Sequence, residues 1–258
     1  MKIAVCLKLV PATTADIRVA ADGQSLQLAG VETIISPYDE YALEAALKLR
    51  ESFPGSTIQA VTAGPDDAVK CLTHAFSLGV DSGVHIKAPS ADARAAAKAI
   101  AALLKSSAPD VVLCGRQAID DDQWLVPGAI GESLGMPHVT GISGLTMAPD
   151  GKSLKAIRRS EAGEETIEAF LPAVLSCDKG LNEPRAPTLK GRLDAKKKQP
   201  EIKAPSDLGL SDADVAPALK VTKYSPPPQK NPGKVISTPP AEAAAELVRL
   251  LREEAKII

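Results

Sequence analysis

Val111-Val112-Leu113-Cys114-Gly115-Arg116-Gln117-Ala118-Ile119-Asp120-Asp121-Asp122-Gln123 passes from an unbroken apolar run, through a glycine, into a loop carrying a cation, side-chain amides and three carboxylates. A short β-branched run bounded by Gly and Pro or Asp reads as a strand buried on both faces, as in a parallel sheet. Ile3 to Leu7, Ile58 to Thr62 and Val84 to Ile86 have the same character. Between these runs lie segments of helical period. Asp39 to Arg50 sets Ala42, Leu43, Ala46 and Leu47 on one face, with Asp39 and Glu40 at the positive end of the dipole. Asp66 to Leu78 ends before Gly79, Ala91 to Lys105 is Ala-rich, and Trp124 to Leu134 stops before Gly135. Strands alternating with helices predict an α/β fold with a doubly wound, mostly parallel, Rossmann-like sheet. Such sheets bind ligands beyond the carboxyl ends of their strands, which selects the loops after Leu7, Thr62 and Cys114.

Composition supports a folded domain. Of 258 residues, 45% are hydrophobic and 24% charged, which excludes a disordered or collagen-like chain. With 30 Lys plus Arg against 32 Asp plus Glu, the net charge of -2 gives no ground for general nucleic-acid or anionic-membrane binding. Cys6, Cys71, Cys114 and Cys177 lack zinc or redox spacing and read as small buried hydrophobes, so no metal site is expected. The five apolar residues from Ile3 to Leu7 are too few for a signal-peptide core or a membrane span, and a cytoplasmic, bacterial setting without signal or transit peptide is the expectation.

The chain changes character beyond Lys155. Lys155 to Arg159 and Thr166 to Phe170 read as a hairpin around Ala162-Gly163, followed by a strand from Ala173 to Cys177. Eleven of the 21 prolines then fall from Pro184 onward. This divides the chain into an α/β domain over 1–183, a loop and basic stretch over 184–205, and an extended C-terminal arm over 206–258. The tail is too proline-rich for an internal strand or helix until Ala241 to Ala255 recovers helical period. A helix at the end of such an arm is expected to dock on its own body or on a second subunit.

No catalytic set emerges. His74, His85 and His138 fall in a predicted helix, at a strand and in a loop, with no paired ligand spacing and no nucleophile elbow. The phosphate fingerprints are missing after the first strand, although Thr62-Ala63-Gly64-Pro65-Asp66-Asp67 forms a turn small enough for a ligand to approach the backbone. The loop from Cys114 to Gln123 has two readings: a solvated turn whose aspartates cap the next helix, or a polar rim in which backbone amides, Arg116 and Gln117 meet a nucleotide while an aspartate holds a hydroxyl. Leu189, in a proline-rich stretch leading to Lys196-Lys197-Lys198, is either a solvated residue or an anchor for a partner's pocket.

At these residues the sequence resembles the beta subunit of electron-transfer flavoproteins. Ser36-Pro37-Tyr38-Asp39-Glu40-Tyr41-Ala42-Leu43-Glu44-Ala45-Ala46 looks like the family's N-P-[FY]-[DC]-E-x-A-[LV]-E-x-A, and Gly115 to Asp122 like its G-[KR]-Q-A-I-D-[DG]-D loop. Arg158 to Ser176 approximates the family signature, and Leu181-Asn182-Glu183-Pro184-Arg185 with Thr188-Leu189 looks like L-N-x-P-R-Y-x-[ST]-L. The resemblance implies a heterodimer with an alpha subunit that holds most of a redox FAD, with a structural AMP in this chain. It implies electrons moving from flavin dehydrogenases, such as acyl-CoA dehydrogenases, toward a quinone-linked oxidoreductase. AMP contacts would fall at Cys6, at Ser36, Pro37, Tyr38 and Asp39, at Ala63, and along Gln117, Ala118, Ile119, Asp120, Asp121, Asp122, Gln123, Val126 and Gly128. The loop from Glu183 to Lys198 would dock on dehydrogenases, with Leu189 as anchor beside Arg185, Lys196, Lys197 and Lys198, and the arm would wrap onto the alpha subunit. Ser36 replaces the usual Asn, Ala162 stands where the signature expects Gly, Asp or Glu, and Ala186-Pro187 replaces Tyr-Ala. Gln123-Trp124-Leu125-Val126-Pro127-Gly128 matches neither the conventional nor the electron-bifurcating pattern. Two alternatives therefore stand beside the conventional carrier: a bifurcating subunit with a second FAD reacting with NADH, and a stand-alone nucleotide-binding regulatory domain.

Overall fold

The computed structural model describes residues 1–88, 92–228 and 232–258. The chain opens on β1 (Lys2–Cys6) and continues through four short strands, β2 (Leu9–Pro11), β3 (Arg18–Val19), β4 (Leu26–Gln27) and β5 (Thr33–Ile35). These pair as two small antiparallel ribbons before α1 (Pro37–Ser52). Then come β6 (Thr57–Gly64), α2 (Val69–Ser77), β7 (Ser82–Lys87), α3 (Ala93–Ser107), β8 (Val111–Gly115) and α4 (Leu125–Leu134). The second half comprises β9 (His138–Met147), β10 (Ser153–Ser160), β11 (Gly163–Phe170), β12 (Ala173–Cys177), α5 (Leu189–Ala195), β13 (Glu201–Lys203), α6 (Asp212–Val215) and α7 (Pro240–Glu253).

One sheet of nine strands organises these elements, in the order β11-β10-β9-β12-β8-β1-β6-β7-β13. From β9 to β13 every neighbouring pair is parallel, and β10 and β11 close the other end as an antiparallel hairpin. The chain runs outward from β1 to β6 and β7, then crosses back through α3 to β8 on the other side of β1. That reversal between β1 and β8 is the switch point of a doubly wound sheet, where a crevice opens beyond the strand ends. Alternation along each strand supplies both faces: Ile3, Val5 and Leu113 meet α1 and α2, while Ala4, Cys6, Val112 and Cys114 meet α3 and α4. Each such Val, Leu or Ile contributes about 1.5–3 kcal/mol by leaving water.

Several expectations shift. The segment predicted as one helix from Asp66 begins as a 3-10 turn, Asp66–Ala68, and becomes α2 at Val69. Ala91, the expected start of the third helix, lies outside the described residues, and α3 is capped by Asp92, whose side chain accepts from Ala95 N. His138 opens β9 instead of lying in a loop, facing Gly128 and Gly131 of α4, where a Cβ at Gly131 would strike the His138 Cβ. The proline-rich tail does carry regular structure: α5 packs beside α2, and β13 adds a short parallel strand to the β7 edge. Pro200 and Pro205 flank β13 instead of interrupting it, as proline permits at an edge. The sheet thus extends past the boundary expected at residue 183. The hairpin of β10 and β11 turns between Ser160 and Gly163 as expected, with Lys155–Glu168 and Arg158–Glu165 ion pairs across the strands.

Candidate functional site

The site begins with a buried carboxylate. Asp39, in the first turn of α1, is 7% exposed and ties together loops far apart in sequence. One oxygen accepts from Lys8 N at 2.7 Å, just after β1, and the other from Gly115 N at 2.9 Å, at the end of β8. Burial pushes its pKa up to about 7, against the pull of those two N–H groups and of the Lys8 charge. Gly115 is the residue this approach requires, because any Cβ there would collide with the Asp39 carboxylate and backbone. Ser36 is fully buried beside this clamp, and its hydroxyl donates to Gln117 O at 3.4 Å. Pro37 starts α1 in the first turn, where its missing N–H costs nothing.

The polar rim is locked by its own charges. Lys8 Nζ meets Asp120 at 2.8 Å and Asp121 at 2.9 Å; burial opposes its charge, yet those two carboxylates hold its pKa above the usual lysine value. Arg116 pairs with Asp178, donates to Tyr38 Oη at 3.3 Å and to Gln117 Oε1 at 3.2 Å, and lies between the Tyr38 and Trp124 rings at 5.0 and 4.1 Å. Gln117 Nε2 donates to Asp122, and Asp122 N to Ala118 O at 2.9 Å. Two non-glycine residues of this loop adopt left-handed backbone, Asp122 at φ 49° and Trp124 at φ 56°. Trp124 therefore precedes α4 instead of starting it.

Between this rim and α3 lies a cleft of about 840 Å³, open mouth included. Of the residues expected to meet a nucleotide, Cys6, Asp39, Ala63, Gln117, Ala118, Asp121, Gln123 and Val126 line it. Ser36, Tyr38, Asp120 and Asp122 stand behind that lining and hold it in place, and Gly128 faces His138. Trp124 and Pro127, within the stretch from Gln117 to Gly128, also line the cleft; the sequence reading missed Asp92, which caps α3, Ala96 and Ile100 within it, and Lys8 as walls. Their signal was the helical period of α3, whose N-terminal turn aims at the strand ends. The two helix ends at the cleft differ. Asp92 fills the α3 end, accepting from Ala95 N, Ala218 N and Leu219 N. Trp124 gives α4 no side-chain cap, Pro127 has no N–H, and the Leu125 and Val126 N–H groups point out of the first turn unpaired by any described residue. Such an end attracts an anion. Among the described residues no three His, Cys, Asp or Glu side chains gather as a metal site would.

The stretch expected to dock a partner is partly committed to its own body. Arg185 clamps Glu44 at 2.8 Å and Glu51 at 2.6 Å on α1, which raises its pKa further. Lys198 donates to Val80 O and stands over the Phe76 ring, and Lys197 pairs with Asp194. Leu189 opens α5, capped by Thr188, and is 77% exposed; Lys196 is also exposed. Among the described residues no helix is long and apolar enough to cross a membrane.

A mostly parallel, doubly wound sheet with a cleft at its switch point defines an α/β domain. A family model, the electron transfer flavoprotein domain, matches residues 25–208, and the chain belongs to that family. It is 38% identical to the electron transfer flavoprotein subunit beta of Bacillus subtilis, over 93% of this chain and 94% of that protein. It is 34% identical to the subunit of that name from Syntrophomonas wolfei, over 100% and 98% of the two chains, and 33% identical to that of Homo sapiens, over 100% and 99%.

Proposed function

We propose that this chain is the beta subunit of a heterodimeric electron-transfer flavoprotein, which takes electrons from flavin dehydrogenases and passes them toward a quinone-linked oxidoreductase. The observation that carries the reading is the cleft at the β1/β8 switch point together with full-length likeness to proteins named as that subunit. A structural AMP fits the residues present: Ala63, Ala96, Ile100 and Val126 offer an apolar wall for a base, and the unpaired Leu125 and Val126 N–H groups suit a phosphate. The FAD shared with the alpha subunit supplies the redox chemistry, and this chain supplies binding surface and fixed charge.

The arm supports a partnered chain over a stand-alone regulatory domain, because α7 has no buried residue and shows Leu247 and Val248 to solvent. The deciding experiment is to co-express the chain with an alpha subunit, release the ligands by denaturation and quantify them by chromatography. One FAD and one AMP per heterodimer is the expected result. Two FAD and no AMP would make the bifurcating reading correct, and a stable monomer that binds no second subunit would favour the regulatory domain.

A further inference from the structure

We infer that Cys6 and Cys114 form a dithiol site on the floor of the cleft, which captures a monosubstituted trivalent arsenical by bonding it through both sulfurs. Far apart in sequence, the two cysteines are made neighbours by the sheet. β1 and β8 run parallel, with Ile3 opposite Val111, Ala4 opposite Val112 and Val5 opposite Leu113. One step further along that register sets Cys6 beside Cys114, on strands about 4.8 Å apart. Both residues belong to the apolar cluster on the α3 and α4 face, so their side chains leave the sheet on the same side, and the thiols meet as hydrogen-bond partners. Both line the cleft. Cys71 and Cys177 lie instead in the cluster on the opposite face of the sheet.

Two chemistries can join adjacent thiols, and the surroundings select between them. Oxidation by a peroxide needs a thiolate as nucleophile. Here the contact with Cys6 first, and then burial, pushes the Cys114 thiol well above its usual range, so it stays protonated at neutral pH. An arsenoxide asks for the opposite. Two As–S bonds form, two S–H bonds break, and both protons leave with the arsenoxide oxygen as one water, while arsenic remains trivalent. Neutral thiols carry the protons that this step consumes. Coordination points the same way. Among the described residues no three His, Cys, Asp or Glu side chains gather, so an ion that needs three or four protein ligands is not served. A monosubstituted arsenical brings its own third bond and needs two sulfurs. The apolar residues that share the cleft with this pair, Ala63, Ala96, Ile100 and Val126, suit an aryl substituent.

The test adds phenylarsine oxide to the folded, nucleotide-free, full-length chain and follows capture by intact mass and by calorimetry. One arsenical per chain is expected, bound with loss of one water and displaced by dimercaptopropanol but not by the same concentration of mercaptoethanol. Because the second As–S bond closes within one molecule, Cys6→Ala or Cys114→Ala should each weaken capture at least about a hundredfold, whereas Cys71→Ala should leave it within about threefold. In the wild type the arsenical should shield Cys6 and Cys114, and neither Cys71 nor Cys177, from N-ethylmaleimide added on unfolding, which locates the site if an alanine variant does not fold. No capture, capture that survives the loss of either thiol, or shielding of Cys71 or Cys177 overturns the inference. AMP should slow capture, since its proposed site overlies the same floor. Capture at an undiminished rate in the presence of AMP would count against the nucleotide reading and leave the dithiol site standing.

Discussion

Helices α3 and α7 are nearly equal in length, at 15 and 14 residues, and both carry apolar stripes at helical spacing, yet they meet opposite fates. α3 buries seven residues between the sheet and α4, among them Ile100, Leu103 and Leu104. α7 buries none. An apolar stripe states that a helix must be covered, and the rest of the sequence decides by what. For α3 the cover is β1, β6 and β8, fixed by the winding of the chain. For α7 the described residues of this chain supply none, as the proposed second subunit would require.

Ranked by effect on the unfolding free energy of the isolated chain, the sharpest test of this contrast is a pair of truncations. Leu104→Ala, at a fully buried position, should cost about 2–5 kcal/mol in urea denaturation. Leu247→Ala, at a position 49% exposed, should stay within about 0.5 kcal/mol and act only when an alpha subunit is present. Equal costs would mean that α7 has a cover in the isolated chain and would end the comparison.

The clamp at the cleft has its own signature. Asp39 carries a pKa near 7 in the fold against 3.8 for an unperturbed aspartate, so between those values the folded chain holds a proton that the unfolded chain has lost. Stability therefore falls as pH rises from about 4 to about 7, by on the order of 4 kcal/mol from this group alone. The groups facing Asp39 are Lys8, Asp120, Cys71, Cys114 and Cys177. Burial raises the Cys71 and Cys177 thiols, and for Cys114 the contact with Cys6 comes first, then burial, so all three stay neutral through this window. Urea midpoints measured across the range should show the slope, and Asp39→Asn should remove it. A slope unchanged in the variant would assign it to another group.

Gly115→Ala comes next, at about 1–3 kcal/mol for overpacking, because its Cβ has no room beside Asp39. The same change should abolish AMP binding measured by calorimetry, since it parts the loops after β1 and β8. Intact binding would mean that the clamp does not shape the cleft.

Much of the body was legible because its signals are local. The four apolar runs became β1, β6, β7 and β8, and the Ala173 to Cys177 run is β12 residue for residue. β9 was missed because Gly141 and Gly144 interrupt its pattern; Gly141 sits at φ 69°, where the strand bends, and Gly144 lets Ile157 of β10 pack close. β13 was missed because its strand identity comes only from the free β7 edge it finds. The strand-end rule located the cleft before any side chain was placed. The clamp was not legible, since Asp39 reaches partners 31 and 76 residues away. Nor was the Arg116–Trp124 stack, which depends on a left-handed turn that no residue type announces.

The smallest expected effect on stability is at Leu189, and it is the most informative about the tail. Arg185 and Lys198 look like partner-facing cations in sequence, but they hold the stretch onto α1 and onto the end of α2, leaving α5 displayed from a fixed base. Leu189 at its first turn is 77% exposed, so Leu189→Ala removes little buried surface and should shift unfolding by less than about 0.5 kcal/mol. An apolar side chain held out on an anchored helix loses little conformational freedom when it enters a partner's pocket, which is what makes a good anchor. In the heterodimer, Leu189→Ala should slow electron transfer from a flavin dehydrogenase about tenfold or more while flavin content stays the same. Arg185→Ala should do the reverse at first order, loosening α5 and lowering stability by releasing the buried Glu44 carboxylate from the one cation that pairs with it among the described residues. Unchanged transfer in Leu189→Ala, with Arg185→Ala still destabilised, would leave the anchored base in place and remove the anchor from it.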